Sequence, residues 1–200
     1  MTSIVTSLTV NQIKSLSTAS IAALKTSDIA ALSTTQIKAL SSTQLAAFET
    51  EDIAVLTSAQ VAAIATTALS GLTVDQLGAL GSVQIGGLGA AQVTALYASQ
   101  IEVLTSSQIE AMTATQIGAM TSDKIAVLAT EDLATFTTAE IAAIKTTALA
   151  GLTSDQVTSL STDKVAALTT AQVGSLSTDK VALLGSSQIA ALTTAQVAAL

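Results

Sequence analysis

Two hundred residues, half of them apolar and only 10% charged, carry a net charge of −7, far less charge than the roughly 25% charged residues of an ordinary soluble domain. All seven positive charges are Lys, and Arg, His, Cys, Pro and Trp are absent. Thiolate and imidazole chemistry, the usual zinc sites and disulfides are therefore excluded, and an acidic chain without Arg is a poor ligand for phosphate backbones.

The chain opens with "MTSIVTSLTVNQIKSL". It has no basic segment followed by a continuous apolar run, so it does not read as a conventional signal peptide. From Leu8 to Leu200 a large apolar residue recurs every eight positions without a gap, and a second apolar series lies three residues before it, from Val5 to Val197. The chain is thus twenty-five octads with no insertion. We number each octad so that the Leu is position 8 and the Ile or Val is position 5. A Ser or Thr interrupts nearly every octad, so no stretch approaches the ~20 apolar residues of a membrane helix, and no membrane insertion is expected.

All twenty-one Asp, Glu and Lys fall at positions 1, 3, 4 or 6. Burying charge is costly, so positions 5 and 8 read as core, 2 and 7 as close-packing positions, and 1, 3, 4 and 6 as the solvent face. The three-then-five spacing does not fit the period of a strand. An unbroken α-helix fails too, because eight residues advance about 800° and the apolar stripe would spiral around the rod. The helix must break once per octad.

The break is written in phrases such as "LTTAQV". Thr169 suits an N-cap, Gln172 three residues later completes a capping box, and Leu168 with Val173 forms a hydrophobic staple. Leu32, Ser33, Gln36 and Ile37 repeat the set, as do Leu192, Thr193, Gln196 and Val197. Each octad starts a helix of about six residues, far too short to survive alone. Such helices persist only by stacking, which predicts an all-α solenoid, one helix-turn per octad, over residues 1–200. The first octad, 1–8, with Ile4 at position 4, reads as a degenerate N-terminal cap.

A longer period overlies the octad: "TTALSGL" at Thr66–Leu72 returns as "TTALAGL" at Thr146–Leu152, and Glu51-Asp52 returns as Glu131-Asp132, both 80 residues on. Block duplication explains it; if the block also respects solenoid turns, two octads per turn divide it and three do not.

Candidate sites are few. Glu49, Glu51 and Asp52, echoed by Glu131 and Asp132, read as first-turn acids that favour the helix dipole rather than as paired catalytic carboxylates. The pairs Asp123-Lys124, Asp163-Lys164 and Asp179-Lys180 read as solvated variants of the capping box. "LGALGSVQIGGLGAAQ" (Leu77–Gln92) lacks the setting and the Lys of a phosphate loop, and reads as close packing or local flexibility. The Thr rows at positions 1 and 2 look superficially like ice-binding ladders, but their hydroxyls are committed to caps. No catalytic, metal-binding or cofactor-binding residue is expected.

The octad "LTTAQVAAL" resembles the repeats of large secreted or surface proteins of proteobacteria, labelled adhesion or haem-utilisation proteins. That resemblance implies an extended extracellular stalk, filament or adhesin segment, often exported in one step by a C-terminal signal; a cytoplasmic location stays open at this point. The same phrase is similar to the first short helix of the DNA-reading repeats of plant-pathogen effectors, but their second helix, base-reading loop and basic residues have no counterpart here. The expected function is structural and non-catalytic, with self-association end to end or within a longer array, and no nucleic-acid partner. The alternative is a binding module that presents a repetitive polar face to a protein or glycan.

Overall fold

The computed structural model describes residues 3–200; Met1 and Thr2, part of the expected cap, lie outside the described residues. Two compact units, Met1–Ala111 and Met112–Leu200, divide the chain. Among the described residues there are twenty-three α-helices of four to six residues, two short 3-10 segments and no strand. The fold is a solenoid of short helices, built the same way within each unit.

The octad explains each helix. Position 1 is the N-cap in extended conformation, as at Thr73 (φ −73°, ψ 163°), and its side chain accepts from the N–H of position 4, here Gln76. Position 8 is extended as well, as at Leu80 (φ −68°, ψ 133°). Two extended residues, 8 and 1, thus make every corner. No described residue has a positive φ and no peptide bond is cis, so the corners need neither glycine nor proline.

In unit Met1–Ala111 the helix Val10–Ser15 packs on Thr34–Lys38, which packs on Ser58–Ala63. In unit Met112–Leu200, Thr138–Ala143 packs on Thr162–Ala167, which packs on Ser186–Ala190. Packed helices are three octads apart. Hydrogen bonds between successive turns span 25 to 31 residues, so one turn takes between three and four octads. The 80-residue period does not mark two octads per turn. Each extended corner bends the path by less than the half-circle that a two-octad cycle demands.

The core is as expected. Positions 5 and 8 are buried through the interior of both units, for example Ile53, Leu56, Val61 and Ile64 in the first and Ile125, Leu128, Ile141 and Ile144 in the second. Phe48 and Phe136 take position 8 and are also buried.

Candidate functional site

One long polar side chain per octad, at position 4, sits where the helix starts. Gln76 shows what it does. Its backbone N–H donates to Thr73 Oγ1 at 3.2 Å, and its Oε1 accepts from the Thr73 N–H at 2.9 Å. Its Nε2 then donates to the carbonyls of Leu45 at 3.1 Å and Phe48 at 2.7 Å. These are positions 5 and 8 of the octad four earlier. Gln92 repeats the pattern with Val61 (2.9 Å) and Ile64 (2.8 Å), and Gln172 with Ile141 (2.9 Å) and Ile144 (2.7 Å).

The need for this bridge follows from helix length. The last four carbonyls of any helix lack an intrahelical partner, so a five-residue helix leaves most of its carbonyls open. The glutamine uses every polar atom of its amide: the oxygen caps its own helix, and the two N–H groups satisfy the turn before it.

Position 4 is therefore not on the solvent face. The outer surface is formed by positions 1, 2, 3 and 6, while position 7 is mostly half-covered. Position 2 is exposed in most octads, as at Thr34, Val74, Ser106 and Thr170, and is not the close-packing position its small residues suggested. Gln76 and Gln156, at position 4, are each 2% exposed. The sequence carried a signal for this. A capping box accepts Glu or Gln alike, yet all fourteen glutamines stand at position 4 against one Glu, Glu140. A carboxylate can close the cap but has no N–H to donate backwards.

Departures at position 4 confirm the rule by their cost or their substitute. Among the Asp-Lys pairs only Lys124 is buried, with Nζ donating to its own N-cap residue, Thr121 Oγ1, at 3.0 Å. The three Asp are exposed, Lys164 and Lys180 are half-exposed, and Lys180 Nζ reaches the Ala150 carbonyl at 3.0 Å. At Lys180 the ammonium thus takes the place of the amide donor to the turn before. The Asp123 carboxylate is exposed and held below its ordinary range, first by the Thr121 hydroxyl and then by Lys124. Asp28 accepts from Ser3 Oγ at 2.6 Å and from the Lys25 N–H at 3.3 Å; the Ser3 bond is the main reason its carboxyl lies below the usual range. Asp132, by contrast, has a buried Oδ1 with no hydrogen-bond partner, a net cost to the fold.

The acidic group does not converge on a site. Glu49 is the N-cap of Thr50–Ala54, Glu51 is exposed, and Asp52 is buried with its Oδ2 accepting from the Glu49 N–H at 3.2 Å. Glu51 lies below its ordinary range because its own backbone N–H and the Thr50 hydroxyl donate to it. Among the described residues no cluster of three or more His, Cys, Asp or Glu could hold a metal ion, and no helix is long and apolar enough to cross a membrane.

Helices run through the Gly-rich piece. Gly87 lies over Ser58, where an added Cβ would meet the serine Cβ at 2.8 Å, whereas Gly78 faces open space. The Thr row at position 1 is spent on caps, as Thr105, Thr153 and Thr193 show.

A family model described as the ALTTAQ repeat matches residues 21–58, 45–82, 125–162 and 165–200, more than half of the chain. The chain belongs to the ALTTAQ repeat family. Each matched stretch begins at a position-5 core residue, and three of the four contain a complete bridge: Gln76 to Leu45, Gln156 to Ile125 and Gln196 to Leu168. In 21–58 the donor position holds Asp52 instead. The unit that recurs is longer than the octad because it includes one turn and the amide that fastens it. No curated protein matches the chain.

Proposed function

We propose that this ALTTAQ repeat chain is a structural element, an extended segment of a bacterial cell-surface stalk, filament or adhesin that works without catalysis. The observation that carries the reading is the amide bridge, which fastens one turn to the turn before it along both units. Force applied along such a stack is shared by many buried bonds, which suits a spacer. Small hydroxyl and methyl groups dominate positions 1, 3 and 6, a surface with little to offer a substrate. The resemblance to repeats of secreted and surface proteins is what supports the surface location in this reading.

A second reading, a binding module for a protein or glycan, draws on Tyr97, which stands at the N-cap position of the helix Ala98–Glu102 and is 58% exposed. The test is immunogold labelling of intact cells of the source organism. Label on unpermeabilised cells is the expected result; label only after permeabilisation overturns the surface assignment. A Tyr97→Ala chain that loses binding to host glycans would favour the second reading.

A further inference from the structure

Charge and exposed apolar side chains gather on one side of the unit Met1–Ala111. Each helix there packs on the helix three octads further on, which sorts the octads into three columns. The column of octads 17–24, 41–48, 65–72 and 89–96 has no charged residue. That of 9–16, 33–40, 57–64, 81–88 and 105–112 has Lys14, Lys38 and Glu110. The remaining seven charges, six acids and Lys25, lie in octads 25–32, 49–56, 73–80 and 97–104. Of these acids Glu49, Glu51, Asp75 and Glu102 are exposed. The same column leaves Val55 41%, Val74 45%, Tyr97 58% and Val103 38% exposed. Among the described residues the uncharged column exposes no large apolar side chain, and the third exposes Val10 and Val83. Tyr97 at position 1 and Val74 at position 2 face outward as those positions do in most octads. Their exposure follows from the repeat and not from where a stack stops.

A single exposed valine needs no explanation; three valines and a phenol on one acidic column do. The surface between them is also not flat. An added Cβ at the position-6 glycines Gly86 and Gly118 would meet carbonyls of the next turn, Ala111 at 3.1 Å and Ala143 at 2.9 Å. At Gly78, four residues after Val74 on the same helical face, nothing lies within 4 Å. We propose that this column is a docking surface for a basic polypeptide segment of another protein, one that mixes Lys or Arg with aliphatic residues. The four exposed carboxylates supply charge complementarity. The valines and the open space at Gly78 take aliphatic side chains, and the Tyr97 ring presents its face to an ammonium or guanidinium. A second copy of the chain, at −7, is repelled. A neutral sugar gains little from valines and leaves the carboxylates without a counter-charge. Four helices stacked about 8–10 Å apart span a length that an extended segment of about eight residues covers. The proposal goes beyond the structural reading above, which requires no ligand, and its test is independent of cellular location.

Tyr97 is the one tyrosine and the chain has no tryptophan, so its fluorescence reports on this surface. The probe is a peptide of about ten residues, Lys and Leu in equal number without aromatics, added at low and at high salt. Tyr97 emission changes saturably at low salt, and binding weakens at high salt. E51Q/D75N weakens binding about tenfold, and V55S/V74S weakens it by a similar factor. T43K/T67K, at the same octad position on the uncharged column, makes the same change in net charge as E51Q/D75N and leaves binding as it was. All substituted side chains are exposed; a variant that loses helical circular dichroism is replaced by E51Q or V74S alone. Silence of Tyr97 toward the peptide, equal loss in T43K/T67K, undiminished binding by V55S/V74S, or equally tight binding of a Lys-Gly peptide overturns the proposal. So does a response to a neutral maltooligosaccharide in place of the peptide, which would assign the surface to glycans. Chains labelled at the cell surface yet silent to the peptide would end this inference and leave the proposed function standing. Peptide binding by a chain labelled only after permeabilisation would overturn the surface assignment and leave this inference standing.

Discussion

Two neighbouring octads, "TSAQVAAI" (Thr57–Ile64) and "ATTALSGL" (Ala65–Leu72), solve the same problem differently. The first fastens itself with Gln60, whose Nε2 donates to the Ala30 and Leu32 carbonyls at 3.2 and 2.8 Å. The second has Ala68 at position 4, 1% exposed, and Gly71 at position 7. There a Cβ on Gly71 would lie 2.0 Å from the Ser42 carbonyl oxygen, and on Gly151, 80 residues later, 1.8 Å from that of Ser122. With no amide to place between the turns, the backbones close on each other, and only glycine permits the approach. Stacking is achieved either by a polar bracket or by direct contact. The 80-residue repeat copies the contact type with both of its coupled residues, Ala68 with Gly71 and Ala148 with Gly151.

Gly71→Ala breaks the contact type most severely. The neighbouring backbone must move, and the expected loss is about 3 kcal/mol, the upper end of overpacking costs, read as a fall in the urea midpoint. Gly151→Ala should match it. Gln60→Glu tests the bracket type. It retains the cap but withdraws both N–H groups, leaving buried carbonyls unpaired at about 1–3 kcal/mol. Gln60→Ala, which adds no charge, should cost less than Gln60→Glu; equal losses would mean that the carboxylate finds donors of its own. Ala68→Gln then asks whether the two solutions can be exchanged. The slot is already closed, so the added side chain should destabilise by about 1–2 kcal/mol rather than restore a bridge.

Gly78→Ala is the internal control for the glycine argument. The site lies in the helix Val74–Ala79 with nothing within 4 Å of the added Cβ. Alanine there should stabilise by about 0.5–1 kcal/mol, opposite in sign to Gly71→Ala. The smallest effect concerns acid. Asp28 titrates below its ordinary value because Ser3 donates to it. A depressed folded-state value makes its contribution complete above about pH 4 and lost as the pH falls through the folded value. Ser3→Ala should therefore reduce stability near neutrality and flatten the acid limb of the first turn, followed by hydrogen exchange at Ile29 between pH 2 and pH 5.

Much of this was legible without coordinates because it is local. The capping box, the staple and the corner all lie within one octad, and their residue types follow from backbone groups that the same octad leaves open. Hence the all-α solenoid, the helix starts at Thr169 or Thr193, and the core rows at positions 5 and 8 could be read from spacing alone. The tertiary structure decided what the octad does to its neighbours. Number of octads per turn depends on how far each 8–1 corner bends the path, a sum of small angles that no residue pattern records. The second role of Gln76 depends on that number, since its N–H groups reach Leu45 and Phe48 only once a turn has closed. The same closure buries Lys124 and brings Gly71 onto Ser42. The sequence by itself determined where each helix starts, because caps and core periodicity act over eight residues. Only the tertiary structure decided which polar groups meet, because partners about thirty residues apart are set by the pitch of the stack.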